Sequence, residues 1–201
     1  MNKISEFQQS ILDSARIKGR LIKQEVCIKK IIKTITKSIK KGGKVLLCGN
    51  GGSAADAQHL AAEFTVRLRS NFNREAIPAV CLSADIPTIT ACANDYGFKM
   101  IFLRNLQALY KKNDILIVLS TSGNSDNIIE VLKYCKKNFI PSIGFLGSGG
   151  GKAKKFCDSS IIVDSHATGR IQEMHIFLGH FIFEKVEDLL FRQITIKKNG
   201  K

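Results

Sequence analysis

Apolar residues recur at helical spacing through the first part of the chain and then change rhythm. Ile4, Phe7, Ile11 and Leu12, followed by Ile28, Ile31, Ile32, Ile35 and Ile39, fall three to four residues apart. This spacing predicts two amphipathic helices, with Gly19 as the break between them and Gly42-Gly43 ending the second. From Lys44 onward, short unbroken apolar runs alternate with longer helical patterns. The runs lie at 45–49, 78–83, 115–119, 141–146 and 160–163. Runs apolar at every position suit strands buried on both faces better than half-exposed ones. Helices are expected at about 53–68, 86–92, 98–110, up to 137, and 168–190. Such alternation predicts a three-layer αβα sandwich around a five-stranded parallel sheet. The expected parts are a helical extension at 1–42, one domain at 43–192 and a basic tail at 193–201.

Composition narrows the class without deciding function. A chain of 201 residues can bury one core of ordinary size. Hydrophobic and charged fractions of 44% and 24% are those of a globular protein. No apolar run approaches the ~20 residues of a membrane span, and the N-terminus has no signal-peptide core, so a cytoplasmic protein without a membrane partner is expected. The six cysteines, Cys27, Cys48, Cys81, Cys92, Cys135 and Cys157, show no C-x-x-C pairing and mostly sit inside apolar runs. They read as buried thiols of a reducing compartment. The net charge of +14 favours anionic ligands. Its lysines gather in the first 44 residues and the tail, with no aromatic interleaving, so a solvated surface is preferred to a nucleic-acid site.

Two polar, glycine-bearing stretches follow buried strands. In KVLLCGNGGSAADAQHLAAE, residues 44–63, the strand ends at Gly49 and Asn50, Gly51 and Gly52 offer backbone amides. Ser53 is the expected N-cap. The glycines do not form a dinucleotide fingerprint, because Ala54 stands where a third glycine belongs. The second stretch places Ser120, Thr121, Ser122 and Ser125 between a strand and a helix start. A serine-rich turn is the plainer account. Hydroxyls, free amides and a helix dipole together nevertheless favour a phosphate cradle, and the lack of a following lysine favours a monophosphate. Both stretches lie at strand ends, where parallel sheets bind ligands.

His59 and Glu63 are four apart on a predicted helix, hence on one face and about 6 Å apart along its axis. That spacing suits one divalent metal or two sides of one substrate, although a surface pair explains it alone. The last helix carries Gln172, Glu173, His175 and His180. Helix surface for Glu173 and core polarity for the rest is the plain account.

Taken together, CGNGGSAADAQHLAAE, the Asn94-Asp95-Tyr96-Gly97-Phe98 segment, STSGNS and Arg170-Ile-Gln-Glu-Met-His175 ending at His180 resemble the sugar isomerase (SIS) family, from about residue 43 to 190. The resemblance implies a flavodoxin-like sheet and a homotetramer with sites between subunits. It implies aldose–ketose isomerisation of sedoheptulose 7-phosphate to D-glycero-D-manno-heptose 7-phosphate, a first step of bacterial heptose synthesis. It also implies a substrate held by Asn50, Gly51, Gly52, Glu63, Asn94, Asp95, Ser120, Thr121, Ser122, Ser125 and Gln172. Zinc would sit on His59, Glu63, Gln172 and His180, with Glu63 and His180 as the proton-transfer pair. Gln172 and His180 are about 12 Å apart along a helix, too far for one ion unless both side chains stretch or different subunits supply them. The second is favoured. Val66, Leu68 and Gly169 depart from the family's usual residues and bear on sugar preference. The alternatives are a non-catalytic relative that binds the replication initiator and a sugar-phosphate sensor. Glu63, Ser122 and His180 favour the enzyme.

Overall fold

The computed structural model describes residues 4–192; the basic tail expected at 193–201 lies outside them. Five strands, β1 (Val45–Gly49), β2 (Ala79–Cys81), β3 (Ile115–Ser120), β4 (Ser142–Gly147) and β5 (Ser159–Val163), form a single all-parallel sheet in the order β2-β1-β3-β4-β5. The order reverses between β1 and β3, where Gly49 pairs with Leu119. The crevice beyond that reversal is where doubly wound sheets bind ligands. β1, β3 and β4 are buried at every position, as their unbroken apolar runs require.

Alternate side chains of the strands feed two cores. Val45, Leu47, Ile115, Ile117, Leu119, Ile143 and Phe145 join the core beneath α1 (Glu6–Arg20), α2 (Glu25–Lys40), α3 (Gly52–Ala62) and α7 (Thr168–Glu187). Leu46, Cys48, Leu116, Val118 and Leu146 join the core beneath α4 (Ile86–Tyr96), α5 (Ile101–Leu109) and α6 (Asp126–Lys137). The three-layer architecture is therefore as expected. Ile17, Leu21, Ile28, Ile31, Ile32 and Ile35 of the N-terminal helices share the first core with the sheet.

Several element boundaries differ from those read off the sequence. α1 runs through Gly19 without a break and is held at its start by a capping box of Ser5 and Gln8. The interruption falls at a 3-10 turn, Leu21–Gln24, where the Gln24 amide donates to the Ile162 carbonyl at 2.7 Å and accepts from its N–H at 2.9 Å. Ser53 is not the N-cap. Gly51, at φ 56°, turns the chain early, so Gly51 is the cap and Ser53 lies buried in the first turn. The helix after it keeps α geometry only to Ala62, then widens into a π turn, Glu63–Arg67. α4 is longer than expected and includes Asn94 and Asp95. The 98–110 helix divides into a 3-10 turn, Phe98–Met100, and α5. The last helix turns π at Asp188–Arg192.

Candidate active site

Two loops meet at the sheet's reversal. Asn50, after β1, exchanges two side-chain hydrogen bonds with Asn127 of α6, at 2.9 and 2.8 Å. Asn127 is buried, and its Oδ1 also accepts from the Ile128 amide at 2.9 Å. This amide pair fixes the Gly51-Gly52 loop relative to the start of α6. Gly52 lies against the amide of Gln172, and a Cβ there would overlap it. On the other side of Gly49, the Ser83 hydroxyl donates to its carbonyl at 3.1 Å.

The serine loop after β3 is built partly from its own hydroxyls. Ser120 is buried and its Oγ accepts from the Gly123 amide at 3.1 Å, while the Ser122 Oγ accepts from the Asn124 amide at 3.1 Å. Ser125 caps α6 by backbone geometry, its hydroxyl making no capping bond. Gly123, at φ 63°, packs directly on the backbone of Gly150, and Gly151 on that of Ser122 and Gly123. Side chains at these positions would drive the loops apart. The Gly123 carbonyl also accepts from the Ala153 amide at 2.8 Å. The glycine-rich 147–151 stretch is thus the buttress of the serine loop.

A second cluster lies where α3 and α7 cross. His59 Nε2 is 3.2 Å from Glu63 Oε1 and 2.8 Å from His180 Nε2. The helices can approach because Gly179 faces Leu60 without a Cβ, and below it the Phe64 and Phe183 rings stack with centroids 3.6 Å apart. Burial holds the His180 ring below the usual histidine range; His59 adds to the effect and Glu63 opposes it. A neutral imidazole is the form that ligates metals. The ligand atoms of His59, Glu63 and His180 all lie within 4.8 Å of one another. A tetrahedral zinc ion with bonds of about 2.0–2.1 Å places its ligands about 3.3 Å apart, so this nitrogen–nitrogen–carboxylate set fits the metal in charge, atom type and spacing. Asp56, one turn before His59, has its carboxyl pushed up by burial against the pull of His59, and its Oδ2 is buried without a partner.

The chain thus brings His59, Glu63 and His180 together, and separately gathers Asn50, Gly51, Gly52 and Gln172. Gln172 stays beside Gly52, eight residues from His180 along α7. Asn94 and Asp95 are exposed near the end of α4; Asn94 donates to Asp95 at 2.8 Å, and neither bonds to the two loops. Asn127 and Ser83 were missed from sequence, since one polar residue inside a helix pattern or after a strand carries no distinguishing spacing. Their position beside Gly49 and Asn50 follows only from the strand order.

A parallel sheet reversing at β1 and β3, with a serine loop at the end of β3 and a histidine–glutamate cluster where α3 and α7 cross, defines a class. The SIS domain pattern matches residues 11–147, and the chain belongs to the SIS domain family. It is 47% identical to the phosphoheptose isomerase of Clostridium acetobutylicum over 86% of each chain. The solved phosphoheptose isomerase GmhA of Neisseria gonorrhoeae superposes with a TM-score of 0.83 at 35% identity, covering 90% of this chain and 96% of that one. A phosphoheptose isomerase from Francisella tularensis gives 0.84 at 29% identity, covering 94% and 100%.

Proposed function

We propose that this chain is a phosphoheptose isomerase, interconverting sedoheptulose 7-phosphate and D-glycero-D-manno-heptose 7-phosphate through an enediol. The observation that carries the reading is the convergence of His59, Glu63 and His180 at the α3–α7 crossing, supported by the high coverage of relatives bearing that name. Moving a proton between C1 and C2 needs a base at carbon and a proton donor for oxygen. Glu63 is the base in this reading, and His180 serves the oxygen. The serine loop, Ser120, Thr121, Ser122 and Ser125, binds the phosphate with the amides of the α6 start, fixing the far end of the sugar. Asn50, Gly51, Gly52 and Gln172 line the sugar, joined by Asn94 and Asp95.

We assign zinc to His59, Glu63 and His180 of one chain, with Gln172 as a fourth ligand from another subunit of a homotetramer. When bound, zinc supplies positive charge beside the oxygens of C1 and C2. We place the enzyme in the cytoplasm, in keeping with six free thiols, feeding heptose to lipopolysaccharide or another glycan. Incubating the purified protein with sedoheptulose 7-phosphate, with and without zinc, tests the reading. Aldose product is expected, and Glu63→Gln should remove at least about 99% of turnover while leaving the fold intact. Phosphate-dependent thermal stabilisation without product would instead identify a sensor.

A further inference from the structure

Glu63 opens the π turn Glu63–Arg67 that continues α3. Such turns are rare and widen the backbone by one residue, so the direction in which Glu63 leaves the helix depends on what holds the turn. Arg74, in the segment leading to β2, does most of this. Its side chain is 1% exposed, and its Nη2 donates to the Glu63 carbonyl at 2.8 Å. Its Nη1 donates to the carbonyls of Glu75 at 2.9 Å and Val66 at 3.4 Å. Its Nε donates to Glu187 Oε1 at 2.7 Å. Glu187 is fully buried at the end of α7. Its other oxygen accepts from Arg69 Nε at 3.2 Å, and Arg69 also reaches Asp188 at 2.8 Å. The next carbonyl of the turn, that of Phe64, accepts from the Ile77 amide at 3.0 Å.

A buried guanidinium–carboxylate pair is poorly explained by stability alone, because desolvation offsets much of its Coulomb gain. What distinguishes this one is where its remaining donors go. We infer that Arg74, oriented by Glu187, is a positioning residue for Glu63. It fixes the Glu63 carbonyl, hence the Cα–Cβ direction, and so sets the carboxylate against His59 and His180. His180 and Glu187 are seven residues, about two turns, apart on one face of α7. One helix face therefore supplies one member of the cluster and, through Arg74, aims another. The inference rests on Glu63 being the proposed base.

The double variant Arg74→Met, Glu187→Leu removes both charges together, stranding no buried ion, and leaves Arg69 its contact with Asp188. If the pair acts on the fold alone, this variant can change in melting temperature but should turn over at the parent's rate and bind zinc as the parent does wherever it is folded. If it positions Glu63, the same well-folded variant should lose about 10- to 100-fold in kcat for sedoheptulose 7-phosphate with KM within about twofold, and about tenfold in zinc affinity. Arg74→Lys, which keeps a charge for Glu187 but loses the planar fork, should lose about tenfold in kcat with KM unchanged. Should the double variant not fold, Arg74→Lys decides. Parental kcat and parental zinc affinity in whichever variant folds would overturn the inference. A parent that binds zinc but leaves the ketose unchanged would refute the substrate reading, while the zinc comparison still decides on Arg74.

Discussion

His175 sits between the sheet and α7 with no exposed surface and no hydrogen-bond partner for either ring nitrogen, the Leu146 backbone lying near without completing a bond. Burial lowers its pKa from 6.5 to about 4. The folded protein therefore binds fewer protons than the unfolded chain between those values. The stability this contributes is complete above pH 6.5 and is lost as pH falls towards 4. At pH 5 the loss should be about 2 kcal/mol. Denaturant unfolding of the parent and His175→Leu at pH 7 and pH 5 checks this; the variant's pH difference should be smaller by about that amount, and parallel slopes would rule the assignment out. The plain reading of His175 as core polarity was available from sequence. Its lack of a partner was not, because nothing in a helical period says which backbone a buried ring will face.

The crossing of α3 and α7 brings residues more than a hundred positions apart to hydrogen-bond distance, and Gly179 is the contact that permits it. A Cβ at Gly179 would overlap both methyls of Leu60, which is fully buried. Gly179→Ala should cost about 1–3 kcal/mol by overpacking and weaken zinc binding about tenfold by parting His59 from His180. Calorimetric titration with zinc would read the second effect; unchanged affinity in the folded variant would show that Leu60 yields without moving α3. The strands were legible in sequence because parallel strands buried on both faces are apolar throughout, and the His59–Glu63 pair because four residues make nearly one helical turn. The π turn was not. It follows an ordinary alanine-rich pattern, and its stabilising side chain, Arg74, comes from a stretch with no period at all. Ser53 misled as an N-cap because the left-handed Gly51 began the helix sooner.

Across the whole molecule, Phe7 and Ile11 of α1 and Ile22 of the 3-10 turn after it leave a row of large apolar side chains facing solvent, with Phe177 and Phe181 of α7 partly exposed beside Ile22. Lysines border these side chains, with Lys18 over the Phe177 ring and Lys185 over Phe181, while Val26 of α2 lies among Lys30, Lys33 and Lys37. Four 22.2 kDa chains joined through the apolar row would bury it. Sedimentation should report a tetramer, and Phe7→Asp with Ile11→Asp a smaller species. Mixed tetramers of Gln172→Ala and His180→Ala subunits should recover part of the lost turnover; none in verified mixed particles would place both ligands in one chain. The position of His180 has a consequence during synthesis. β1, α3 and the serine loop emerge early from the ribosome, but the cluster lacks one histidine until α7 leaves the exit tunnel and docks on α3. Under the roles proposed for Glu63 and His180, a chain cut before α7 should show no turnover however well its sheet has formed, and an activity assay of that truncation checks it.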